Sequence, residues 1–391
     1  MLDRLDQQPA DALLALIKMY EADTRPDKID LGVGVYRTAD GGTPVFRAIK
    51  QAEKRLVDTQ GTKAYLGPEG DMGFVRALMP HVLGDAGNRD GRIDGMQTPG
   101  GTGAVRLAVA LAQKAGVRNL LMGVPSWPNH KQILDDCGVT TVTFDHACED
   151  GSADMGALRE ALGKAGKDDA VLLHGACHNP TGVDYTNEQW DEIADLLGET
   201  GALPIIDLAY QGLGDGMEED AYGVRKVIAS VPEALVAYSC DKNFGLYRDR
   251  VGALYVMGAN ADETVRIMSN AASLARANWS MPPDHGGASV RLILEDEDLT
   301  ADWLDELASM RERIGAVRAK LAEAGTAGAV DLTKLGAQKG MFAMLPVSKE
   351  QVERLRKDHG VYMAGSGRIN VAGLTMGNID AFVAALADVT G

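Results

Sequence analysis

Short apolar segments alternate with longer segments of helical spacing through the middle of the chain. After Ile93 the apolar runs are, in chain order, 120–122, 141–144, 171–173, 204–206 and 235–237. The segments between them, such as 155–165 and 188–200, carry apolar residues every three to four positions. This alternation is typical of an α/β fold, and it predicts a mostly parallel sheet covered by helices.

Two local patterns add detail to this sheet. Only a short loop separates Tyr238 from the strand-like run 252–256, which is too short for a crossover helix. We therefore expect that last strand to run antiparallel. Thr186 and Gln189 have the spacing of a capping box, and they predict the start of a helix that continues through Leu197.

The two ends of the chain form a second predicted unit. Residues 11–21, from Asp11 to Glu21, have helical apolar spacing, and 301–324 is a long, charged and periodic segment. A shorter tail rich in strand and helix patterns follows to Gly391. The long periodic segment predicts a helix that runs through the boundary between the two units.

The charge balance narrows the classes of partner. The chain has 391 residues, 45% apolar content and a formal net charge of -17. This content is ample for a buried core. The negative charge argues against nucleic acid or an anionic membrane as the main partner, because both are polyanions.

The compartment is predicted from the start of the chain and from its cysteines. The first residues, Met1 to Asp6, lack the basic and apolar regions of a signal peptide, and no apolar run approaches membrane-spanning length. We therefore expect a soluble, cytoplasmic protein. Its four cysteines show no CxxC spacing, so we expect free thiols and no zinc site or other metal site.

One lysine is the strongest candidate for covalent chemistry. Lys242 follows the strand-like run 235–238, and the carboxyl ends of strands build the binding crevices of open α/β sheets. Its amine can condense with the aldehyde of pyridoxal phosphate. Ser239 and Arg250 lie nearby in sequence and offer a hydroxyl and a guanidinium to a phosphate. An ordinary surface lysine is the alternative interpretation of Lys242.

Other strand ends carry matching groups. Asp207 closes the apolar run 203–206 and is followed by Tyr210, so a carboxylate and a phenol are expected at the same rim. A carboxylate is the partner that a protonated pyridine nitrogen needs. Asn179 follows the strand 171–174 and is placed to donate to a phenolate oxygen. Residues 100–103 are glycine-rich and precede the helical run 104–115, a typical phosphate site.

Together these segments resemble the class I aminotransferases of the aspartate and aromatic amino acid branch. The resemblance covers almost the whole chain. Its motifs are, in order, Leu31–Tyr36, Tyr65–Gly67, Gly100–Gly103, Pro125–His130, His178–Gly182, Asp207–Gln211, Tyr238–Tyr247, Arg276–Ser280 and Ser366–Gly373.

The resemblance implies a division into domains. We expect the fold of the pyridoxal phosphate transferases of fold type I, with a large cofactor-binding domain and a smaller α/β domain built from both chain ends. The predicted N-terminal arm is 1–9. The small domain combines 10–43 with 310–391, and the large domain covers 44–309.

The resemblance also implies roles in catalysis. Lys242 would hold pyridoxal phosphate covalently and then move the proton as general base. Asp207 would keep the ring nitrogen protonated. Asn179 and Tyr210 would hydrogen-bond the ring oxygen, and Trp127 would lie against the ring face.

The remaining implied residues bind the phosphate and the substrate. The phosphate would be held by Gly101, Thr102, Ser239, Arg250 and, from the neighbouring subunit, Tyr65. The substrate would contact Gly34, Trp127, Asn179, Arg276 and Arg368. Of these, Arg368 would pair with the α-carboxylate, and Arg276 would reach across from the partner subunit to a side-chain carboxylate. A complete site would therefore need a homodimer.

The chain departs from the family pattern at three positions. Ala64 and Met281 replace polar residues that dicarboxylate-specific members often carry, which favours use of both dicarboxylic and aromatic substrates over strict aspartate specificity. Local repacking is the alternative explanation. Asp241 replaces a serine usual before the lysine, so that a carboxylate would face the phosphate. It would be protonated, turned away, or paired with an arginine such as Arg248.

The predicted activity is transamination. It moves an amino group between an L-amino acid, which is aspartate, glutamate or an aromatic amino acid, and a 2-oxo acid such as 2-oxoglutarate. A lyase or decarboxylase on the same cofactor fold is the enzymatic alternative, because the fold does not fix which bond at Cα breaks. A non-catalytic module that senses amino acids is a third interpretation, but the chain has no helix-turn-helix or basic extension. Residues 100–103 also do not supply the G-x-G-x-x-G pattern of nucleotide-binding folds.

Overall fold

A computed structural model describes residues 2–7, 12–87 and 90–391. Asp11, where the first predicted helix begins, and residues 1, 8 and 9 of the predicted arm lie outside the described residues. No helix in the described part of the chain combines the length and the apolar character needed to cross a membrane.

The strands, in chain order, are β1 (Ile29–Asp30), β2 (Ile93–Pro99), β3 (Asn119–Val124), β4 (Thr140–Asp145), β5 (Asp169–His174), β6 (Leu203–Leu208), β7 (Ala234–Ser239), β8 (Val251–Met257), β9 (Thr326–Ala327), β10 (Val330–Asp331), β11 (Phe342–Met344), β12 (Val361–Tyr362) and β13 (Arg368–Asn370). The α-helices are α1 (Ala12–Ala22), α2 (Arg47–Thr59), α3 (Met72–Leu83), α4 (Gly100–Lys114), α5 (Pro128–Asp136), α6 (Met155–Gly163), α7 (Asn187–Thr200), α8 (Tyr222–Ser230), α9 (Ala261–Asn278), α10 (Asp284–Leu294), α11 (Glu297–Glu323), α12 (Lys349–His359) and α13 (Ile379–Thr390).

The chain divides into two compact units. The first comprises Met1–Gly42, Ile314–Ala337 and Met341–Gly391, and the second comprises Thr43–Arg313 and Gln338–Gly340. Helix α11 runs through the division, as the periodic segment 301–324 predicted. The domain boundaries drawn from the sequence stay a prediction, because a compact unit is not thereby an independently folding one.

The first unit is built on short strand pairs. Strand β1 pairs parallel with β12, while β9 with β10 and β11 with β13 are antiparallel. Its core takes apolar residues from α11, α12, α13 and these strands, with Leu321, Leu355 and Phe382 fully buried. Burial of this apolar surface is the main favourable contribution to its stability.

The second unit contains the large predicted sheet. Its strand order is β2-β8-β7-β6-β5-β3-β4, with parallel pairing from β4 through β7. Strand β8 is antiparallel to β7, with Tyr238 opposite Ala253, so the prediction of an antiparallel last strand is confirmed. The α/β fold class is likewise confirmed.

A local signal sets the start of helix α7. The Thr186 hydroxyl accepts from the Gln189 N–H at 3.2 Å, and the Gln189 side chain accepts from the Thr186 N–H at 2.9 Å. This reciprocal pair confirms the predicted capping box. The helix continues past Leu197 and ends at Gly201, whose φ of 71° suits glycine.

The topology gathers several strand ends at one edge of the sheet. Strand β2 pairs antiparallel with β8, so it runs in the same direction as β3 to β7. The carboxyl ends of β2, β3, β5, β6 and β7 therefore lie at a common edge, together with the start of β8. The order reverses between β3 and β5, where open α/β sheets place their ligands.

Candidate active site

A pocket lies at this edge in the second unit. The residues that line it come from the strand ends of β3, β5, β6 and β7 and from the start of α4. They are Gly101, Thr102, Trp127, His174, Asn179, Asp207, Ala209, Tyr210 and Lys242. The structure thus brings together most of the residues that the sequence predicts for cofactor binding.

Lys242 lies in a setting that favours its neutral amine. Its Nζ is 5.0 Å from the centroid of the Tyr210 ring. Burial lowers the pKa of Lys242 from its ordinary value, and the negative charges of Asp241 and Asp207 oppose this effect only in part. A larger neutral fraction makes the amine a better nucleophile and base. The Asn179 amide donates to the Tyr210 hydroxyl at 3.3 Å, and both residues line the pocket.

Asp207 is buried and only half paired. Its Oδ2 is 2.9 Å from Nε2 of His130. Its Oδ1 is also buried and has no hydrogen-bond partner among the described residues. Because an unsatisfied buried carboxylate oxygen is costly, this atom indicates that a ligand with an N–H donor completes the site.

A network of histidines extends from Asp207, and one of its members, His174, also lines the pocket. The Ser126 hydroxyl is 2.9 Å from Nδ1 of His130 and 2.9 Å from Nε2 of His174. The His174 ring lies 4.1 Å from the ring of His178. Burial, with a smaller contribution from the neighbouring imidazoles, holds the pKa of His174 and of His178 well below the ordinary value. These two rings therefore stay neutral.

Sequence reasoning gave these histidines no role. His130 ends the Pro125–His130 motif, and His174 ends a strand at the same edge as Asp207. A strand-end position was therefore the signal available for His174. The contact between His130 and Asp207 depends on the spatial order of β3, β5 and β6, which the sequence pattern did not supply.

The glycine-rich segment differs from the prediction in one respect. Helix α4 begins at Gly100, so Gly100–Gly103 form its first turn and do not precede it as a loop. The positive φ of Gly100, 69°, permits this abrupt start directly after β2. A Cβ on Gly101 would lie 2.8 Å from Cβ of Ser239, so only glycine allows the close approach. The first-turn N–H groups remain suited to an anion.

Asp241 pairs with an arginine, but not with Arg248, the example that the sequence suggested. Its partner is Arg250, with which it forms an ion pair. The other carboxylate oxygen accepts from the Val251 N–H at 3.2 Å. Arg250 lies next to Gly100 and adopts a positive φ of 57°, which turns its side chain back toward Asp241. The arginine expected to hold a phosphate thus already has a carboxylate partner.

Tyr65 and Arg276 lie on the surface of the second unit and not among the residues described as lining the pocket. Tyr65 is 94% exposed. Arg276 is exposed and donates to the Ser280 hydroxyl at 2.7 Å. The Leu66 N–H contacts the sulfur of Met281 at 3.1 Å, so the segments that carry Tyr65 and Arg276 adjoin each other.

Gly34 and Arg368 belong to the first unit. The Arg368 guanidinium donates to the Gly32 carbonyl at 2.9 Å and lies 4.9 Å from the centroid of the Phe342 ring. A Cβ on Gly34 would be 3.1 Å from Cζ of the same ring. Both residues therefore flank Phe342, and their roles in substrate binding stay predictions.

The pocket residues fit pyridoxal phosphate. When bound, this cofactor supplies an aldehyde for amines and an electron-withdrawing ring. Lys242 offers the amine, and the unpartnered Oδ1 of Asp207 suits a protonated ring nitrogen. Asn179 also has a buried Oδ1 without a partner in the described residues. Gly101 lies in the first turn of α4, whose N–H groups suit an anion.

Comparison with known proteins agrees with this chemistry. Residues 26–386 match the family model described as aminotransferase class I and II. The chain is 50% identical over 375 residues to the tyrosine aminotransferase of Rhizobium meliloti (strain 1021), covering 96% of each protein. It is 43% identical over 387 residues to the aspartate aminotransferase of Salmonella typhi, covering 97% of each.

A solved structure extends the agreement to the cofactor. The aromatic-amino-acid aminotransferase of Burkholderia pseudomallei, covalently bound to pyridoxal phosphate, has a TM-score of 0.95 and 35% identity, with 100% of both chains covered. Sequence, fold and pocket chemistry thus agree on a pyridoxal phosphate enzyme that transfers amino groups. The chain belongs to the class I and II aminotransferase family.

Proposed function

We propose that this aminotransferase accepts both acidic and aromatic L-amino acids and passes the amino group to 2-oxo acids such as 2-oxoglutarate in a ping-pong cycle. The observation that carries this proposal is the surface that joins Tyr65 to Arg276. It combines a guanidinium, suited to a side-chain carboxylate, with Ala64 and the thioether of Met281, which suit an aromatic ring. The names of the relatives, tyrosine and aspartate aminotransferase, cover the same two substrate classes.

The pocket residues support a division of labour. The half-buried amine of Lys242, with its lowered pKa, would move the proton from the substrate Cα to the C4′ carbon of the bound cofactor. The Asp207 carboxylate holds a proton at the cofactor ring nitrogen. Asn179 and Tyr210 hydrogen-bond the ring oxygen, and Trp127 covers the ring face.

The cofactor phosphate and the substrate α-carboxylate bind to different residues. The cofactor phosphate is held at the start of α4 by Gly101, Thr102, Ser239 and Arg250. Arg368 binds the α-carboxylate of the substrate beside Gly34, as the family resemblance implies. The planar guanidinium forms two parallel hydrogen bonds to a carboxylate, which a lysine cannot do.

A homodimer with shared sites is part of the proposal. Tyr65 and Arg276 are exposed on adjoining segments, and an exposed tyrosine and arginine are typical of interfaces. In the dimer, Tyr65 reaches the phosphate and Arg276 the substrate side chain of the partner's site. We also propose the cytoplasm as the compartment, since all four cysteines are free thiols and two of them are exposed or half-buried.

A panel of amino donors tests the substrate proposal. Purified enzyme with 2-oxoglutarate should turn over aspartate and also phenylalanine or tyrosine, with kcat/KM values compared for each donor. Activity confined to one class would contradict the dual assignment, and release of ammonia or carbon dioxide in place of amino transfer would favour a lyase or decarboxylase. Sedimentation should give twice the mass of the 41.5 kDa chain.

A further inference from the structure

Asp241 places a buried carboxylate inside the proposed phosphate site. It is only 2% exposed and directly precedes Lys242. It forms an ion pair with Arg250, and its own N–H donates to the Ser239 hydroxyl at 3.2 Å. Two of the residues proposed to hold the phosphate, Ser239 and Arg250, therefore contact Asp241.

The third element of the phosphate site adjoins the same carboxylate. A Cβ built on Gly100, at the start of α4, would lie 3.0 Å from Oδ2 of Asp241 and 2.5 Å from Nη2 of Arg250. The helix end, the serine and the arginine thus converge around a carboxylate. A phosphate dianion that enters this space approaches a like charge and competes with it for one guanidinium.

The Arg250 guanidinium already has two acceptors within the protein. One of its nitrogens, Nη1, contacts Asp241 and also donates to the Tyr247 carbonyl at 3.1 Å. The carboxylate of Asp241 therefore competes with the phosphate for the Arg250 guanidinium.

We propose that Asp241 is an internal competitor of the cofactor phosphate, so that this enzyme holds the amine form of its cofactor weakly and exchanges it with solution. The aldehyde form is secured by its covalent bond to Lys242, whereas the amine form depends on noncovalent contacts alone. The weakness therefore appears in the amine form. The proposal rests on the phosphate-binding roles given above to Ser239 and Arg250, and on no assumption about the substrate.

Binding of pyridoxamine phosphate and of pyridoxamine to the cofactor-free protein tests this directly, because the two differ only in the phosphate. The dissociation constant of pyridoxamine divided by that of pyridoxamine phosphate measures how much the phosphate contributes to binding. In Asp241→Asn, which removes the charge and keeps the volume, and in Asp241→Ser, this ratio should rise roughly ten- to a hundredfold. Asp215→Asn, at an ion pair with Lys339 elsewhere on the second unit, is the matched control.

Each result of this binding experiment either supports or contradicts the proposal. An unchanged or smaller ratio in Asp241→Asn would overturn the proposal. If neither variant folds, the native protein decides: a ratio within about a hundredfold supports weak grip, and a larger one contradicts it, since charge-assisted contacts to a dianion normally give more. No amino donor is needed, so a failure of the substrate proposal leaves this test intact.

Discussion

The Asp207 carboxylate is bound to His130 through only one of its two oxygens. Oδ2 accepts from Nε2 of His130 at 2.9 Å, while the buried Oδ1 has no partner among the described residues. The His130 contact fixes the orientation of the carboxylate, and both residues are buried. Asp207 is thus oriented before the cofactor arrives, which preserves the full strength of its pairing with a ring nitrogen.

The first prediction concerns this carboxylate. In Asp207→Asn the shape is kept but the negative charge is lost, so that the ring nitrogen is no longer held protonated. We expect kcat/KM to fall by at least about a hundredfold, within the range of general acid–base effects. Cofactor content, measured by absorbance after denaturation, should stay near stoichiometric. Ser126→Ala, which removes an outer member of the network, should cost about tenfold or less, and an equal loss in both variants would contradict the assignment.

The second prediction concerns the covalent and catalytic roles of Lys242. Lys242→Ala removes both the covalent anchor and the base, so it should lose multiple-turnover transamination and the absorbance band of covalently held cofactor. Rapid-scan absorbance with aspartate as donor measures both. Undiminished turnover would show that another group moves the proton.

Arg276 should distinguish the two substrate classes. Arg276→Ala removes the partner of a side-chain carboxylate, so kcat/KM for aspartate should fall by several powers of ten, at about 1.4 kcal/mol per tenfold, while phenylalanine is spared much more. Arg266→Ala is the matched control, because Arg266 lies on the same helix, α9, and pairs with Glu263 on the surface. Equal losses for both donors in Arg276→Ala would assign it a structural role.

The strand ends explain why so much of the pocket could be predicted from the sequence. Lys242, Asp207 and Asn179 each follow an apolar run, and strands of one direction bring such positions to one edge. The ion pair of Asp241 could not be predicted in the same way. Arg248 and Arg250 lie two residues apart in a turn, and the choice between them depends on the positive φ of Arg250.

Two further features, the start of α4 and the order of the strands in the sheet, could not be predicted from the sequence. The start of α4 at Gly100 depends on a positive φ that glycine permits but does not require, so the sequence pattern predicts these glycines only as a segment before the helix. The histidine network depends on β5 lying between β3 and β6. That order arises from pairing across the sheet, which apolar spacing along the chain does not encode.

The last prediction concerns His146 and acid stability. His146 is buried, stacks on His178 with ring centroids 3.6 Å apart, and donates from Nε2 to the Val183 carbonyl at 2.8 Å. Burial lowers its pKa to about 4. Between pH 6.5 and 4 the unfolded chain therefore binds a proton at this residue that the folded chain does not, so stability falls as the pH falls through this window. At pH 5 the loss from His146 alone is about 2 kcal/mol.

His146→Phe keeps a stacked ring but cannot be protonated. The loss in free energy of unfolding by urea between pH 7 and pH 5 should therefore be about 2 kcal/mol smaller in this variant than in the native protein. His285→Phe, at an exposed imidazole, controls for the removal of a histidine as such. Equal losses in the native protein and in His146→Phe would mean that the buried imidazole accepts its proton without unfolding.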